Sequence, residues 1–151
     1  MMDNPVTLSL RPARPEDAPA CAAILQNWLD ATDWVPDLHN LAGTTDFLRD
    51  VLIAQKHTTL AIENGAIAGF LTLDGEFVPA LYVAARHRRA GIGSALLARA
   101  KSAAPRLNLW TFVANAGARR FYARHGFHEI RRTDGDNEEN LPDILLEWRA
   151  T

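Results

Sequence analysis

The sequence predicts a single α/β domain of the mixed α+β kind, with about seven strands and about four helices. Short strand-like and helix-like patterns alternate along all 151 residues, without a repeat, a low-complexity tract or a linker-like stretch. Two hairpin dipeptides, Asn64-Gly65 and Asp74-Gly75, join three consecutive strands. A glycine-containing turn then leads from the third of these strands into a helix. We therefore expect one domain over residues 1–151.

The first part of the chain predicts one strand and two helices. Residues 6–11 alternate between apolar and polar side chains, as in a strand. Pro15-Glu16-Asp17 is typical of a helix opening, because proline is tolerated in the first turn and acids favour the positive end of the helix dipole. The apolar stripe of this helix ends at Leu29 and residues 30–43 predict a loop. Thr44 and Thr45 can cap a second helix, whose expected buried face is Phe47, Leu48, Val51 and Leu52.

The remaining elements follow from alternation, helical spacing and turn residues. The predicted strands are 58–63, 66–73, 76–84, 107–113, 127–132 and 143–149. A helix is expected from residue 86, with Ile92, Leu96, Leu97 and Ala100 on one face, ending before Pro105. Another spans Ala116 to His125, closed by Gly126 in a left-handed conformation. The element order is therefore β-α-α-β-β-β-α-β-α-β-β.

Composition excludes several classes of protein. With 48% apolar and 23% charged residues and a net charge of -2, the chain has no global attraction to nucleic acid or to an anionic membrane. Its only cysteine, Cys21, lies on an apolar helix face, which predicts a buried structural thiol. The longest apolar run, Ala80 to Ala85, is too short to span a bilayer, and the N-terminus lacks a signal pattern. We expect a cytoplasmic protein without metal, nucleic-acid or membrane partners.

The turn between the strand 76–84 and the next helix predicts an anion site. Arg88, Gly91 and Gly93 form an Arg-x-x-Gly-x-Gly pattern at a helix N-terminus, where unpaired amides and the positive end of the dipole face the ligand. A Walker loop and a dinucleotide fingerprint both need residues that are missing here. The pattern favours a compact pyrophosphate held by main chain, with a tight turn carrying a solvated basic face as the alternative.

At this point the chain resembles the GCN5-related N-acetyltransferases, or GNAT enzymes, whose pyrophosphate loop has the form Arg/Gln-x-x-Gly-x-Gly/Ala. A second segment, Asn115-x-x-Ala118-x-x-Phe121-Tyr122-x-x-x-Gly126-Phe127, is similar to the family's next strand-helix-strand unit and stands in the right order. The resemblance covers essentially the whole chain. It implies a central, twisted, mostly antiparallel sheet flanked by helices, and an acetyl-CoA-dependent N-acetyltransferase.

The resemblance also implies residue roles at the coenzyme. Backbone groups of Leu81, Tyr82 and Val83 would pair with the pantetheine arm and polarise the thioester carbonyl, and Asn115 would contact pantetheine or cap its helix. The Tyr122 hydroxyl would reach the coenzyme sulfur. The pyrophosphate would be held by the loop that Arg88 opens and by the amides of Arg89, Ala90, Gly91, Ile92, Gly93 and Ser94.

Direct attack by the amine within a ternary complex is the expected mechanism, because the sequence has no nucleophile motif. Tyr122 is the expected catalytic residue, acting on the departing sulfur as a hydrogen-bond donor or, in the stronger form, as a general acid. Glu76 is the preferred general base. Asp37, His39 or a water chain are alternatives.

The acceptor is expected between two loops, and we predict a small-molecule primary amine. Aromatic and acidic side chains there suit a cationic amine. The candidate acceptor residues are Trp28, Trp34, Asp37, His39 and Asp134. Two alternative functions are a non-catalytic acyl-CoA sensor and an acetyltransferase of protein N-termini. A homodimer is a further possibility for two reasons. The last strand is strongly apolar, and small members of the family that this chain resembles often form pairs.

Overall fold

The computed structural model describes residues 7–88 and 91–151, which form one seven-stranded sheet with helices on both faces. The strand order is β1-β2-β3-β4-β5-β7-β6, and every neighbouring pair is antiparallel except β4 and β5. This confirms the predicted mixed α/β class and the mostly antiparallel sheet. The strands are β1 (Leu8–Pro12), β2 (His57–Glu63), β3 (Ala66–Asp74), β4 (Phe77–Val83), β5 (Arg106–Phe112), β6 (His128–Thr133) and β7 (Asp143–Arg149).

Four α-helices accompany the sheet in the described part of the chain: α1 (Ala18–Asp30), α2 (Leu41–Phe47), α3 (Ile92–Ala103) and α4 (Ala116–Arg124). Short 3₁₀ turns precede α1 at Pro15–Asp17 and α3 at Ala85–His87. A new helix begins at Ala18, which places Pro19 in the first turn, where a missing N–H costs no helical hydrogen bond. Within the described ranges, none of the helices has the length and apolarity that crossing a membrane requires.

The second helix departs from its prediction at both ends. Asn40, rather than Thr44 or Thr45, is the N-cap, because its Oδ1 accepts a hydrogen bond of 2.8 Å from the Gly43 amide. The chain continues beyond α2 as a π-helix over Leu48–Ile53. Leu48 and Leu52 are buried as predicted, but Phe47 is 46% exposed, so its assignment to the core was wrong.

The third helix starts later than predicted because a left-handed glycine separates it from the preceding turn. Gly91 has φ of 77° and is the N-cap of α3, so regular helix begins at Ile92 instead of residue 86. Gly126, with φ of 86°, follows α4 as expected. The two hairpin turns are also confirmed, with Gly65 and Gly75 both at positive φ.

Two apolar clusters fill the two faces of the sheet. One packs α1 and the segment from Leu48 to Leu52 against Phe70 and Ala80, and it contains Cys21. Cys21 is buried, as predicted, and burial raises the pKa of its thiol to about 12. The other cluster packs α3 and Tyr122 against the opposite face. Its members on β7 include Ile144 and Leu146, so much of the apolar surface that suggested a homodimer belongs to the core.

Asp17 anchors the start of α1 to β1, and its replacement tests this contact. Its carboxylate accepts hydrogen bonds from the Arg11 guanidinium at 2.9 and 3.1 Å and from the Arg14 amide at 2.8 Å. The bond from Arg11, more than that from Arg14, lowers the pKa of Asp17 below its ordinary value of 3.8. The ionised carboxylate therefore stabilises the fold above that value, and the contribution is lost as pH falls through the lowered pKa.

We expect Asp17→Asn to lower the free energy of unfolding by about 1–2 kcal/mol at neutral pH, since solvent screens the part-exposed guanidinium. The loss should shrink as the wild-type carboxylate becomes protonated in acid. Urea unfolding of both proteins at neutral pH and near pH 3 would check this. A difference of equal size under both conditions would contradict the role of the charge.

Candidate active site

The two parallel strands at the centre of the sheet separate and leave a gap. β4 and β5 pair at Phe77 and Asn108, where the Asn108 amide also donates to the Glu76 carbonyl at 2.9 Å. No further ladder pair joins these strands in the part of the chain described. The backbone groups of β4 that face β5 beyond this point therefore have no strand partner. β3 continues to pair with β4 as far as Val83, which keeps that free edge in place.

A cavity of about 660 Å³ fills the gap between the strands and reaches both faces of the sheet. Its wall comes from β4, β5, the turn before α3, the first turn of α3, and α4, with Trp28 of α1 on the other face. The structure gathers at this cavity every described residue predicted to bind the coenzyme. They are Leu81, Tyr82, Val83, Arg88, Gly91, Ile92, Gly93, Ser94, Asn115 and Tyr122. Arg89 and Ala90, also predicted to bind it, lie outside the described residues.

The first turn of α3 forms one end of the cavity. The first helical hydrogen bond among the described residues runs from the Ala95 amide to the Gly91 carbonyl at 3.0 Å, so the amides of Ile92, Gly93 and Ser94 have no helical partner in the described part of the chain. A side chain at Gly93 would meet the Phe121 ring, since an added Cβ would lie 3.2 Å from its Cζ. Free amides, a left-handed Gly91 and a close-packed Gly93 fit a pyrophosphate bound by main chain.

Asn115 caps α4, which was one of the two roles expected of it. Its Oδ1 accepts a hydrogen bond of 3.1 Å from the Ala118 amide at the start of α4. Asn115 also lines the cavity, so capping does not remove it from the site.

Tyr122 lies on α4 against the cavity and is almost fully buried. Its ring makes T-shaped contacts with Phe121 and Phe127, at centroid distances of 5.2 and 5.3 Å. Burial raises the pKa of its hydroxyl, and the nearby Tyr82 adds to this effect. Among the described residues its hydroxyl makes no hydrogen bond, so the proton is available to a ligand in the cavity.

Aromatic rings form the side of the cavity opposite α4. Trp28 lies 5.6 Å from the Tyr82 ring and 6.1 Å from the Trp34 ring, and Trp34 lies 5.6 Å from Phe112. Trp28, Tyr82 and Phe112 line the cavity, while Trp34 supports two of them. The aromatic residues predicted from the acceptor loop are therefore brought to the site.

The acidic residues of the acceptor region surround a second cavity of about 290 Å³. Asp37 and His39 line it together with Glu139, and His39 Nε2 is 2.7 Å from Glu138 Oε1. This contact joins the loop after α1 to the loop between β6 and β7. Burial, with a smaller contribution from the negative charge of Glu139, raises the pKa of Tyr82 in the first cavity to about 12. Asp134 is exposed and lines neither cavity.

The structure does not bring Glu76 to the predicted coenzyme residues. Its carboxylate accepts hydrogen bonds from Arg106 at 2.8 and 3.1 Å, at the end of the β4–β5 gap where the two strands are paired. Within the described chain, neither cavity wall includes Glu76. Its role as general base stays a prediction from the sequence, and we assign it no step.

Two histidine contacts at the site were missed by the sequence reasoning. His87, which lines the cavity, forms a short hydrogen bond through Nδ1 with Glu63 of β2. His125, at the end of α4, lies with Nε2 3.1 Å from Ser94 Oγ. Each pair joins residues more than 20 positions apart, so the spacing of neighbouring residues gave no signal.

Comparison with known proteins identifies the family to which this geometry belongs. The family model described as "Acetyltransferase (GNAT) domain" matches residues 54–129. This segment contains the free edge of β4, the glycine turn, α3 and Tyr122. The chain belongs to the GNAT acetyltransferase family. The peptidyl-lysine N-acetyltransferase YiaC of Escherichia coli (strain K12) is 31% identical over 143 residues, covering 92% of this chain and 95% of that protein.

A second sequence relative and a solved structure are also similar to this chain. The peptidyl-lysine N-acetyltransferase YjaB of Escherichia coli (strain K12) is 27% identical over 132 residues, covering 87% of this chain and 90% of that protein. The solution structure of apo-form YjaB from Escherichia coli has a TM-score of 0.79 at 26% identity, covering 96% of this chain and 99% of that one. The protein is therefore an N-acetyltransferase, and the alternative of a non-catalytic sensor falls.

The comparisons also correct the expected acceptor. The relatives are named for peptidyl-lysine, an amine within a protein, so the prediction of a small-molecule amine partner was wrong. The prediction rested on aromatic and acidic side chains that suit a cationic amine of any size, so Trp28 and Trp34 could not distinguish a small molecule from a lysine side chain. In the structure they flank an aromatic side of a cavity that traverses the sheet, which a long side chain can also enter.

Proposed function

We propose that this GNAT enzyme transfers the acetyl group of acetyl-CoA to the ε-amino group of a lysine in a protein. The observation that carries the proposal is one cavity with a phosphate-type helix N-terminus at one end and aromatic rings at the other. The names of the relatives support lysine as the acceptor.

The α3 side of the cavity suits the coenzyme. The free amides of Ile92, Gly93 and Ser94 are donors for a pyrophosphate, and Arg88 adds positive charge beside them. The unpaired edge of β4 offers N–H and C=O groups to an extended amide-containing arm, in the manner of an added strand. Bound acetyl-CoA would supply the activated acetyl thioester at the gap between the strands.

The aromatic side of the cavity suits a lysine side chain. Trp28 and Phe112 can cover its four-carbon stem, and aromatic faces also attract the ammonium group before it loses its proton. The acidic residues Asp37 and Glu139 line the second cavity, beside the loop that contains Trp34, and give this region a negative potential. Such a potential concentrates basic peptide segments at the site.

The reaction needs one bond made and one broken. The neutral lysine nitrogen attacks the thioester carbonyl carbon, forming the amide bond, and the carbon–sulfur bond breaks as the thiolate leaves. Amides on the free edge of β4 stabilise the negative charge that develops on the carbonyl oxygen. The Tyr122 hydroxyl donates a hydrogen bond to the departing sulfur, and the nitrogen releases its extra proton to solvent.

A peptide assay tests the proposal directly. Purified protein is incubated with acetyl-CoA and peptides with a blocked N-terminus and one lysine, and acetylation is located by mass spectrometry. A matched peptide with arginine in place of lysine measures background, and a lysine-free peptide with an open α-amine tests transfer to N-termini. Enzyme-dependent acetylation of the lysine supports the proposal. Acetylation of the α-amine alone would replace it, and lack of acetyl-CoA binding would overturn it.

Trp28 gives a prediction for the acceptor end. We expect Trp28→Ala to raise KM for a lysine peptide by about tenfold, because it removes an aromatic wall of the cavity. KM for acetyl-CoA should change by less than about twofold, since Trp28 is on the other face of the sheet from α3. Trp28→Phe, which keeps a ring, should recover most of the loss. Steady-state kinetics with each substrate varied separately would check this, and equal changes in both KM values would contradict it.

A further inference from the structure

Ser94 and His125 meet behind the phosphate end of the cavity. Ser94 is in the first turn of α3, and its Oγ lies 3.1 Å from Nε2 of His125, the residue that ends α4. Ser94 lines the cavity. The His125 ring is tilted against the Phe121 ring at a centroid distance of 4.6 Å. The two helices thus fix the imidazole against the serine hydroxyl.

The direction of the hydrogen bond between Ser94 Oγ and His125 Nε2 decides whether the serine hydroxyl can donate to a ligand in the cavity. If Nε2 carries a proton, the ring donates to Oγ and leaves the serine proton free for an acceptor in the cavity. If the only ring proton is on Nδ1, the serine donates to Nε2 instead. The cavity then faces oxygen lone pairs, which repel an anion.

We propose that His125 is a positioning residue for coenzyme binding, which holds Ser94 Oγ through Nε2–H so that the serine hydroxyl donates to a pyrophosphate oxygen. The inference rests on the proposed function, because it requires the coenzyme in this cavity. Ser94 then adds a side-chain donor to the free amides of the same helical turn. His125 makes that donor available without touching the coenzyme.

The charges around His125 give the proposal a pH dependence. Burial and the positive charges of Lys101 on α3 and Arg124 on α4 lower the pKa of His125 from its ordinary 6.5. Lys101 Nζ also donates to the His125 carbonyl at 2.6 Å. The ring is therefore neutral in the free protein near neutral pH, and both tautomers compete. The negative charge of a bound pyrophosphate offsets the positive charges of Lys101 and Arg124 and favours the doubly protonated ring. The affinity of the protein for the pyrophosphate therefore rises as pH falls.

The test measures binding rather than turnover. Dephospho-CoA is the probe, because it keeps the pyrophosphate but lacks the phosphate monoester, whose own titration near pH 6 would mask that of His125. Calorimetric Kd values at about pH 8 and about pH 6 are compared for wild type, His125→Phe, Ser94→Ala and the double variant. His125→Gln is the rescue variant, because its amide N–H can replace Nε2–H. S-acetylpantetheine, which has no phosphate, is the control ligand.

We expect His125→Phe and Ser94→Ala each to weaken dephospho-CoA binding by about three- to tenfold, with no further loss in the double variant. Wild-type affinity should rise by about threefold between the higher and lower pH, and His125→Gln should retain affinity without that rise. S-acetylpantetheine affinity should not change in any variant.

Equal weakening of dephospho-CoA and S-acetylpantetheine would mean that His125 only supports the local fold, and would overturn the inference. Wild-type affinity for dephospho-CoA without pH dependence would overturn it as well, as would additive losses in the double variant. If wild type bound neither acetyl-CoA nor dephospho-CoA, the proposed function would fail first. Circular dichroism of each variant identifies any that do not fold, and His125→Gln then carries the comparison.

Discussion

Tyr122→Phe should lower kcat for acetyl transfer by about 100-fold, while Kd for acetyl-CoA changes by less than about twofold. The substitution removes one oxygen from a ring that is held between Phe121 and Phe127, so the packing survives. What is lost is a hydroxyl proton that no described residue uses. Because the sulfur gains negative charge only as its bond breaks, that proton stabilises the transition state more than the bound substrate.

The state of protonation decides how Tyr122 acts. Full transfer of its proton to a thiolate is uphill by about 2 kcal/mol on reference values of about 10 and 8.5. Burial raises the pKa of Tyr122 further, which makes full transfer costlier and keeps the hydroxyl protonated across the working pH range. We therefore expect Tyr122 to act by hydrogen-bond donation rather than as a general acid. The wild-type rate should accordingly show no loss from Tyr122 ionisation up to about pH 10.

The control for this variant is Phe127→Leu, which alters the packing on the other side of the Tyr122 ring but leaves its hydroxyl. Its kcat should stay within about threefold of wild type. Single-turnover rates and a fluorescence titration with acetyl-CoA separate the chemical step from binding. An unchanged rate for Tyr122→Phe would remove this residue from the chemistry, and an equal loss for Phe127→Leu would show that packing explains the effect.

The parts of the fold that the sequence predicted depend on neighbouring residues. Asn64-Gly65 and Asp74-Gly75 determine their hairpins through local backbone preference, and the spacing of Gly91 and Gly93 predicts the turn before α3 in the same way. Capping was less certain, since Asn40 and Thr44 are both competent caps and only the packed structure selects between them. Local patterns are therefore reliable where one residue type has few alternatives.

The parts that were missed depend on contacts between distant segments. Glu76 and Arg106 are 30 positions apart, and no pattern near either residue indicated their ion pair. Ser94 and His125 are 31 positions apart, and nothing near either residue points to the other. Phe47 fits a helical apolar stripe but is left in solvent. Such outcomes follow from how the helices pack on the sheet.

Gly69→Ala should lower the free energy of unfolding by about 3 kcal/mol, the largest stability effect that we expect from a single methyl group. Gly69 lies on β3 opposite Val83 of β4. An added Cβ would lie 2.8 Å from the Tyr82 carbonyl oxygen and 3.2 Å from Ile92 Cγ2. The first of these atoms belongs to backbone in the centre of the sheet, so the clash cannot be relieved by rotating a side chain.

The same methyl group should also weaken acetyl-CoA binding, because relief of the clash must displace β4 at Tyr82 and Val83 or α3 at Ile92. All three residues line the cavity, and the free edge of β4 and the first turn of α3 are the two surfaces assigned to the coenzyme. Urea unfolding and calorimetric binding at a temperature where the variant is folded measure the two effects separately. A destabilised variant with unchanged coenzyme affinity would show that the chain relieves the clash without moving either surface.

Gly117→Ala is the matched control, since Gly117 is in α4 and an added Cβ there meets nothing closer than Asn115 Oδ1 at 4.0 Å. It should raise the free energy of unfolding by about 0.5–1 kcal/mol through helix propensity. The same substitution thus has opposite signs at two glycines. At Gly69 the absence of a side chain allows β4 and α3 to approach, and this approach brings together the two surfaces that we propose bind the coenzyme. The close packing that stabilises the sheet at this point is therefore also what shapes the site.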